Sequence, residues 1–235
     1  TGGRETRTYA EITVAVAAGV ASNRHDTEAL ERYNKAVDEY CVLAESNITI
    51  FADGCRVSST PKIINTYVGH GAVIDGATWI ENTTLLSEPD EHCTVSAGAV
   101  VKHSILQWGS EVDTFGLSQN SVLCEHSHVE RHGMLSDSLL GPNSGVAEGE
   151  ITASLCGPFV GFHHQSLLIA AFWPEGKGNV GYGANVGSNH TSKVGRCMHI
   201  VMNATLADIT NLVGRLTRCN GRRTNVYRVS IECGR

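Results

Sequence analysis

The chain has 235 residues, of which 25 are glycines, 6% are aromatic and 18% are charged, and its formal net charge is -6. This length can bury a sizeable core, and many glycines among aliphatic residues indicate an all-β domain with numerous tight turns. The negative charge argues against a nucleic-acid partner, and no apolar run approaches the roughly 20 residues that span a bilayer.

The first predicted element is a helix that follows Asp26. Asp26 is a suitable N-cap and Glu28 lies in the first turn, where a negative charge is favourable. The apolar stripe of this helix consists of Leu30, Tyr33, Val37, Tyr40 and Cys41. We expect residues 1–60 to form an N-terminal extension whose helix covers the open end of the following β-domain, because an open end exposes unpaired strand edges.

Segments of 17 residues follow one another from residue 66. The first, TYVGHGAVIDGATWIEN, carries Val68, Ile74 and Ile80 at a spacing of six. The next, from Thr83, contains a small insertion near SEPDEH. Three more begin at residues 104, 121 and 138, and read SILQWGSEVDTFGLSQN, SVLCEHSHVERHGMLSD and SLLGPNSGVAEGEITAS. At least five coils of one repeat are therefore present.

Five columns align across the last three segments. They are Ser104, Ser121 and Ser138; Ile105, Val122 and Leu139; Leu106, Leu123 and Leu140; Val112, Val129 and Val146; and Leu117, Met134 and Ile151. Apolar residues every five or six positions fit neither a helix nor a two-sided strand. They predict a parallel β-helix over residues 61–195, in which inward side chains stack about 4.8 Å apart. The serines are interpreted as a corner ladder and not as nucleophiles.

The same register runs through the adjacent histidines of GPFVGFHH. It places Cys156 with Ile105 and Leu168 with Leu117. His163 then takes the column of the aligned valines and is expected to point inward, whereas His164 is expected to point outward. A shift of the register by one residue exchanges these two roles.

An outward imidazole beside a small residue can reach a cleft, so His164 is the better catalytic candidate. Ala147 leaves a notch next to it, and Glu130 lies two coils away, at roughly 9 to 10 Å. Glu148 and Glu150 are further carboxylates that can orient the ring or accept a proton. The competing interpretation is that the histidine pair only ends a strand.

The stretch FWPEGKG, residues 172–178, departs from the repeat and predicts an excursion loop. Loops on rigid scaffolds often carry binding residues. Trp173 offers a stacking surface, and candidate donors to a phosphate or carboxylate are Lys177, Asn189, His190 and Lys193. The alternative is a glycine-rich return that leads into two more hexads.

Residues 196–235 are expected to form a C-terminal extension. The stretch from Met198 to Leu216 is predicted to be helical, and TNVYRVSIEC, from 224, alternates like an edge strand.

The hexads Val68-Gly69, Ile74 and Ile80, with the later Val180-Gly181 and Val186-Gly187, resemble the left-handed β-helix, or hexapeptide-repeat, superfamily. The blocks GPFVGFHH and NVGYGANVGSNH are also similar to an uncharacterised bacterial family of such proteins. The resemblance covers roughly residues 60 to 195 and implies left-handed coiling, which the spacing alone does not decide.

Many members of this superfamily are acyltransferases, in which a histidine deprotonates a hydroxyl or amine of a sugar-like acceptor in a cleft between subunits of a trimer. The resemblance therefore implies a homotrimer, with His164 as the base and acyl-CoA or a nucleotide sugar as ligand.

The segment EHSHVERH supplies His126, His128 and His132. Superfamily members that act as zinc carbonic anhydrases collect three histidines across a subunit interface, so a zinc site of this kind is an alternative. His132 lies beyond a corner from the other two, however, and solvated positions on a polar face are the competing interpretation.

The function therefore stays open among three hypotheses. They are a transferase that acts on a sugar or sugar nucleotide, a non-catalytic scaffold or subunit of a larger assembly, and a zinc-dependent hydratase. The compartment is open between cytoplasm and organelle.

Overall fold

The repeated segments wind into a parallel β-solenoid of about eight turns, to which two α-helices are attached. The computed structural model describes residues 5–46, 48–187 and 230–232. Equivalent strands of successive coils pair in parallel and build three faces. The prediction of a parallel solenoid with an all-β core is confirmed.

Face 1 is an eight-stranded parallel sheet. Its strands are Arg56–Ser58, Val73–Asp75, Thr94–Ser96, Glu111–Val112, His128–Glu130, Gly145–Ala147, Val160–His163 and Gly178–Val180.

Faces 2 and 3 form one sheet of fourteen strands, because the long strands Ile63–Val68 and Trp79–Leu85 run across the corner between them. The other strands of face 2 are Val100–Lys102, Leu117–Gln119, Met134–Ser136, Glu150–Thr152, Leu167–Ile169 and Asn185–Gly187. The other strands of face 3 are Ile50–Phe51, Ile105–Leu106, Val122–Leu123, Leu139–Leu140, Leu155–Cys156 and Phe172–Trp173. The solenoid thus begins at Ile50, earlier than the predicted boundary at residue 61.

Three of the aliphatic columns predicted from the sequence lie in register across neighbouring coils. They are Val112, Val129 and Val146; Ile105, Val122 and Leu139; and Leu106, Leu123 and Leu140. All nine side chains are fully buried. The insertion near SEPDEH is also present, since Val73 pairs with Thr94, 21 positions later.

Buried serines form a hydrogen-bonded ladder at the corner between faces 2 and 3. The Oγ atoms of Ser104, Ser121 and Ser138 accept the backbone N–H of the equivalent serine one coil later, at 3.4, 3.2 and 3.0 Å. Each hydroxyl also donates to the carbonyl two residues before it. These hydroxyls are committed to holding the corner, which confirms the predicted ladder.

The two helices, α1 (Val14–Ser22) and α2 (Thr27–Ala44), pack against the outer side of face 3. Asp26 caps α2 as predicted, because its side chain accepts the N–H of Ala29. Gln107 adds a polar anchor, since its Nε2 donates to the backbone carbonyls of the segment that leads into α1. Neither described helix is long and apolar enough to cross a bilayer.

The prediction that the N-terminal helix covers the open end of the solenoid is wrong. The buried residues of α2, such as Tyr33 and Val37, pack with α1 and with the side of face 3. The inward residues of the first coil therefore stay uncovered by the described part of the chain. Phe51 is 50% exposed and Val57 is 41% exposed.

The N-terminal strand Glu5–Arg7 pairs antiparallel with Ser230–Glu232. The second strand belongs to the segment that was predicted to be an edge strand, and the prediction is confirmed over these three residues. The helix predicted from Met198 to Leu216 lies outside the described residues.

Candidate active site at a shortened corner

One corner between faces 1 and 2 is a residue shorter than its neighbours. Three residues, 131–133, connect Glu130 to Met134 in one coil, and three, 164–166, connect His163 to Leu167 two coils later. Only Glu148 and Gly149 connect the strands of the coil between them. The shortened corner is the structural origin of the candidate site.

The missing residue shifts the register of everything that follows. Met134 pairs with Glu150 and Leu135 with Ile151, so the predicted column of Leu117, Met134 and Ile151 is wrong. Cys156 accordingly pairs with Leu140, in the column of Leu106, and not with Ile105.

The shift also corrects the orientation of the histidine pair. Phe162 pairs with Val146 and is fully buried, so it and not His163 occupies the inward column of valines. His163 pairs with Ala147, lies on the outer surface and is half-buried. The prediction of an inward His163 is wrong, because a constant period of 17 residues was extended through a coil of 16.

His164 begins the turn that follows face 1 and faces a carboxylate. Its Nδ1 lies 3.4 Å from Oε2 of Glu148, and the two side chains are 68% and 48% exposed. Because Glu148 sits in the shortened corner, its side chain lies next to the turn that carries His164. Glu148 is thus the carboxylate that the structure brings to His164, whereas Glu150 lies past the corner and accepts a hydrogen bond from Thr152.

His163 lies beside His164, with ring centroids 6.1 Å apart. Its ring extends over Gly161, where a Cβ atom would lie 3.0 Å from Nε2. Partial burial lowers the pKa of His163, and His128, His164 and Arg131 lower it further by charge repulsion. His163 is therefore biased towards its neutral form.

Arg131 and Glu130 supply the charged rim of the site. Their side chains form an ion pair, and Arg131 remains half-exposed. Glu130 pairs across the sheet with Ala147, which in turn pairs with His163, so Glu130 lies two coils from His163. Glu130 was predicted to lie two coils from His164, but the strand pairing places it two coils from His163.

The side chains of this region line a recess of about 240 Å³ that is open to solvent. The recess is lined by Arg131, Ala147, Glu148, His163 and His164. Its polar groups are one ion-paired guanidinium, two imidazoles and one carboxylate, and the small side chain of Ala147 lines the rest. Such a set can hold an anionic group and can transfer a proton.

The predicted binding loop does not reach this recess. Residues 174–177 form a corner one residue longer than 157–159 in the preceding coil, and not an excursion loop. Trp173 points towards the core and makes an edge contact with Phe162, with centroids 6.1 Å apart. The described contacts of this ring are with the core, and its role as a stacking surface stays a prediction.

Lys177 is exposed but lies at the other end of the face 1 strand from His164. Its backbone N–H donates to Pro158, so it belongs to the corner between faces 3 and 1. The remaining predicted binding residues, Asn189, His190 and Lys193, lie outside the described residues.

The three histidines proposed for a metal do not gather within one chain. His126 lies at a corner, 3.9 Å from Glu91, and His128 lies in the face 1 strand over Gly145. His132 lies at the next corner and stacks on Phe115. Among the described residues, no group of three or more His, Cys, Asp or Glu side chains is placed to hold a metal ion.

Arg131 escaped the sequence interpretation, which also left open whether Glu148 or Glu150 meets His164. The signal that decides between the two carboxylates was present in the sequence. Ser138 is followed by the next ladder serine, Ser154, after 16 positions and not 17. The serine spacing therefore reveals the shortened coil.

The fold and the recess define a class: a β-solenoid with a histidine and carboxylate pair at an irregular corner. Residues 1–205 match the family described as a domain of unknown function, DUF4954, and the chain belongs to that family. No curated protein matches the sequence.

Proposed function

We propose that the protein is a transferase-like enzyme of the left-handed β-helix, hexapeptide-repeat type, which acts on a sugar or sugar nucleotide. His164 is the general base. The observation that carries this proposal is the contact of His164 with Glu148 in the recess at the shortened corner. Repeat coils of 16 to 18 residues support the assignment to the superfamily.

In this mechanism the carboxylate of Glu148, 3.4 Å from Nδ1 of His164, favours the ring proton at that nitrogen, which leaves Nε2 as the basic atom. Nε2 removes the proton from a hydroxyl or amine of the acceptor as that atom attacks the acyl carbon of an acyl-CoA. The carbon–sulfur bond breaks, and the thiolate takes the proton from the imidazolium. A base that is 68% exposed needs cover from water, and a neighbouring subunit of a homotrimer supplies it in this proposal.

The test measures release of free thiol from acetyl-CoA with a panel of nucleotide sugars and amino sugars. His164→Ala removes the base, and loss of general-base catalysis lowers turnover by about 10²- to 10⁴-fold. Glu148→Gln keeps the shape of the corner but weakens the orientation of the ring, so we expect a smaller loss.

The matched control is His25→Ala, because His25 lies between the two helices and outside the recess. All variants are compared by thermal melting, since an exposed side chain at a turn contributes little to stability. Unchanged turnover in His164→Ala removes that residue from the mechanism.

A second candidate function, a scaffold or subunit of a larger assembly, is favoured by the uncovered first coil. Phe51 and Val57 are inward residues of the solenoid and yet remain half-exposed. Phe51→Glu would then abolish an association that light scattering detects in the unmodified protein. A monomer at all concentrations, together with turnover in the thiol assay, removes the scaffold hypothesis.

A further inference from the structure

A pair of stacked rings stands at the same corner as the recess, one coil before it. Phe115 and His132 occupy equivalent positions of successive coils, and their ring planes differ by 5° at a centroid distance of 5.2 Å. Phe115 is 60% exposed, and His132 is also exposed. An exposed aromatic stack is uncommon in a chain with only 6% aromatic residues.

The backbone positions this stack along the solenoid axis. One face of Phe115 lies against Gly98, whose φ is +84° and whose missing Cβ would meet the ring at 2.5 Å. The other face lies against His132. The opposite face of His132 therefore looks towards the next coil, and that coil is the one with the shortened corner.

Arg131 stands between the rings and the acid–base pair. It precedes His132 in the same turn and lines the recess that holds Glu148 and His164. An arginine has five N–H donors, so its ion pair with Glu130 leaves donors free for a second anion. The corner thus presents, in order, a flat ring platform, a guanidinium and a proton-transfer pair.

We propose that this corner binds a nucleoside diphosphate group, whose base stacks on the face of His132 that Phe115 does not cover and whose phosphates contact Arg131. Successive coils lie about 4.8 Å apart, so the rings lie about 10 to 14 Å from His164 along the axis. The group esterified to the diphosphate then extends into the recess. This assignment deepens the proposed function, because the reacting end of the ligand depends on the role of His164 there.

The experiment titrates the full chain with ADP, GDP, CDP and UDP by isothermal calorimetry. We expect at least one of them to bind. Aromatic stacking and one guanidinium contact each make a large share of such affinity, so His132→Ala and Arg131→Gln each weaken binding by about tenfold or more. Phe115→Ala has a smaller effect, because this ring supports His132 from behind and does not touch the base. His164→Ala leaves the affinity within about twofold, which separates this proposal from failure of the proposed base.

Matched controls are Phe159→Ala and Arg56→Gln. Phe159 is 59% exposed at a different corner, and Arg56 is an exposed arginine of the first coil. We expect both to bind as the unmodified protein does. All variants alter exposed side chains, and thermal melting verifies that each one folds.

The proposal is overturned if none of the four diphosphates binds with a Kd below about 1 mM. It is also overturned if binding depends on Arg131 but not on the two rings, since that result describes an anion site without a base platform.

Two ligands share this chemistry, namely coenzyme A and nucleotide sugars. Competition of the best diphosphate with coenzyme A and with the matching nucleotide sugar identifies which of the two ligands the site binds. Displacement by either ligand supports the proposed nucleotide site.

Discussion

Two corners of the same solenoid differ in what their side chains do: one holds successive coils together, and the other carries the candidate site. At the serine corner, between faces 2 and 3, buried hydroxyls bond from coil to coil and leave no donor for a ligand. At the histidine corner, between faces 1 and 2, one coil lacks a residue and a recess opens at Glu148. The candidate site is therefore located where the repeat is broken, whereas the regular corner contributes only to stability.

The break leaves the core undisturbed. The missing residue belongs to a turn in which Glu148 is exposed and Gly149 is buried. Phe162 still enters the column of Val129 and Val146 and is fully buried. Close packing penalises changes in a core much more than changes in a surface turn. A solenoid can thus acquire a site by altering one turn.

The largest expected effect comes from Phe162→Ala compared with His163→Ala. Phe162 is inward and contacts Trp173, so its truncation lowers the free energy of unfolding by about 3–5 kcal/mol. His163 is outward, and its truncation costs less than about 1 kcal/mol. Urea denaturation measures both, and equal losses would contradict the shifted register.

The next effect is on turnover. Insertion of one glycine between Glu148 and Gly149 restores a corner of three residues and moves the carboxylate away from His164. We expect at least about a 100-fold loss of turnover in the thiol assay, which corresponds to about 2.7 kcal/mol. The melting temperature should change by only a few degrees, because turns near the surface tolerate insertion. An insertion variant with full activity would show that the shortened corner has no catalytic role.

A smaller effect is expected at the regular corner from Ser121→Ala. The change removes the acceptor of the Ser138 N–H and leaves a buried donor without that bond, which costs about 1–3 kcal/mol. The control Ser58→Ala alters an exposed hydroxyl and stays within about 0.5 kcal/mol. Identical denaturation midpoints for the two variants would show that the serine ladder does not contribute to stability.

The smallest effect is a pH dependence at His163. Its pKa in the folded chain lies below the ordinary value of 6.5, chiefly because of burial. The unfolded chain therefore takes up this proton first as the pH falls. The contribution of His163 to stability is fully present above pH 6.5 and is lost as the pH falls towards the lowered pKa. The melting temperature of His163→Gln should fall less between pH 7.5 and pH 5 than that of the unmodified protein. Equal decreases in the two melting temperatures would contradict this prediction.

Much of the fold was predictable because its signals are local and repeated. The columns of Val112 and Ile105 and the cap of α2 at Asp26 follow from spacing and residue type. The helix α1 was not predicted, because it is apolar on nearly every side and shows no stripe. Its burial between α2 and face 3 explains that composition.

The candidate site was predictable only in part. His164 was identified as the outward histidine, but its partner Glu148 and the role of Arg131 depend on a turn whose length differs by one residue. A side chain's face in a strand changes with every such step, so one missing residue moved His163 from the predicted core to the surface.

By itself the sequence determined the solenoid, the columns of aliphatic side chains and the serine ladder, because in a repeat the same residue types recur at equivalent positions of every coil. The tertiary structure alone decided where the helices pack, that the described part of the chain leaves the first coil uncovered, and which charged side chains meet across the shortened corner. Those contacts join residues of different coils, and they depend on the pairing of strands and not on the composition of any one segment.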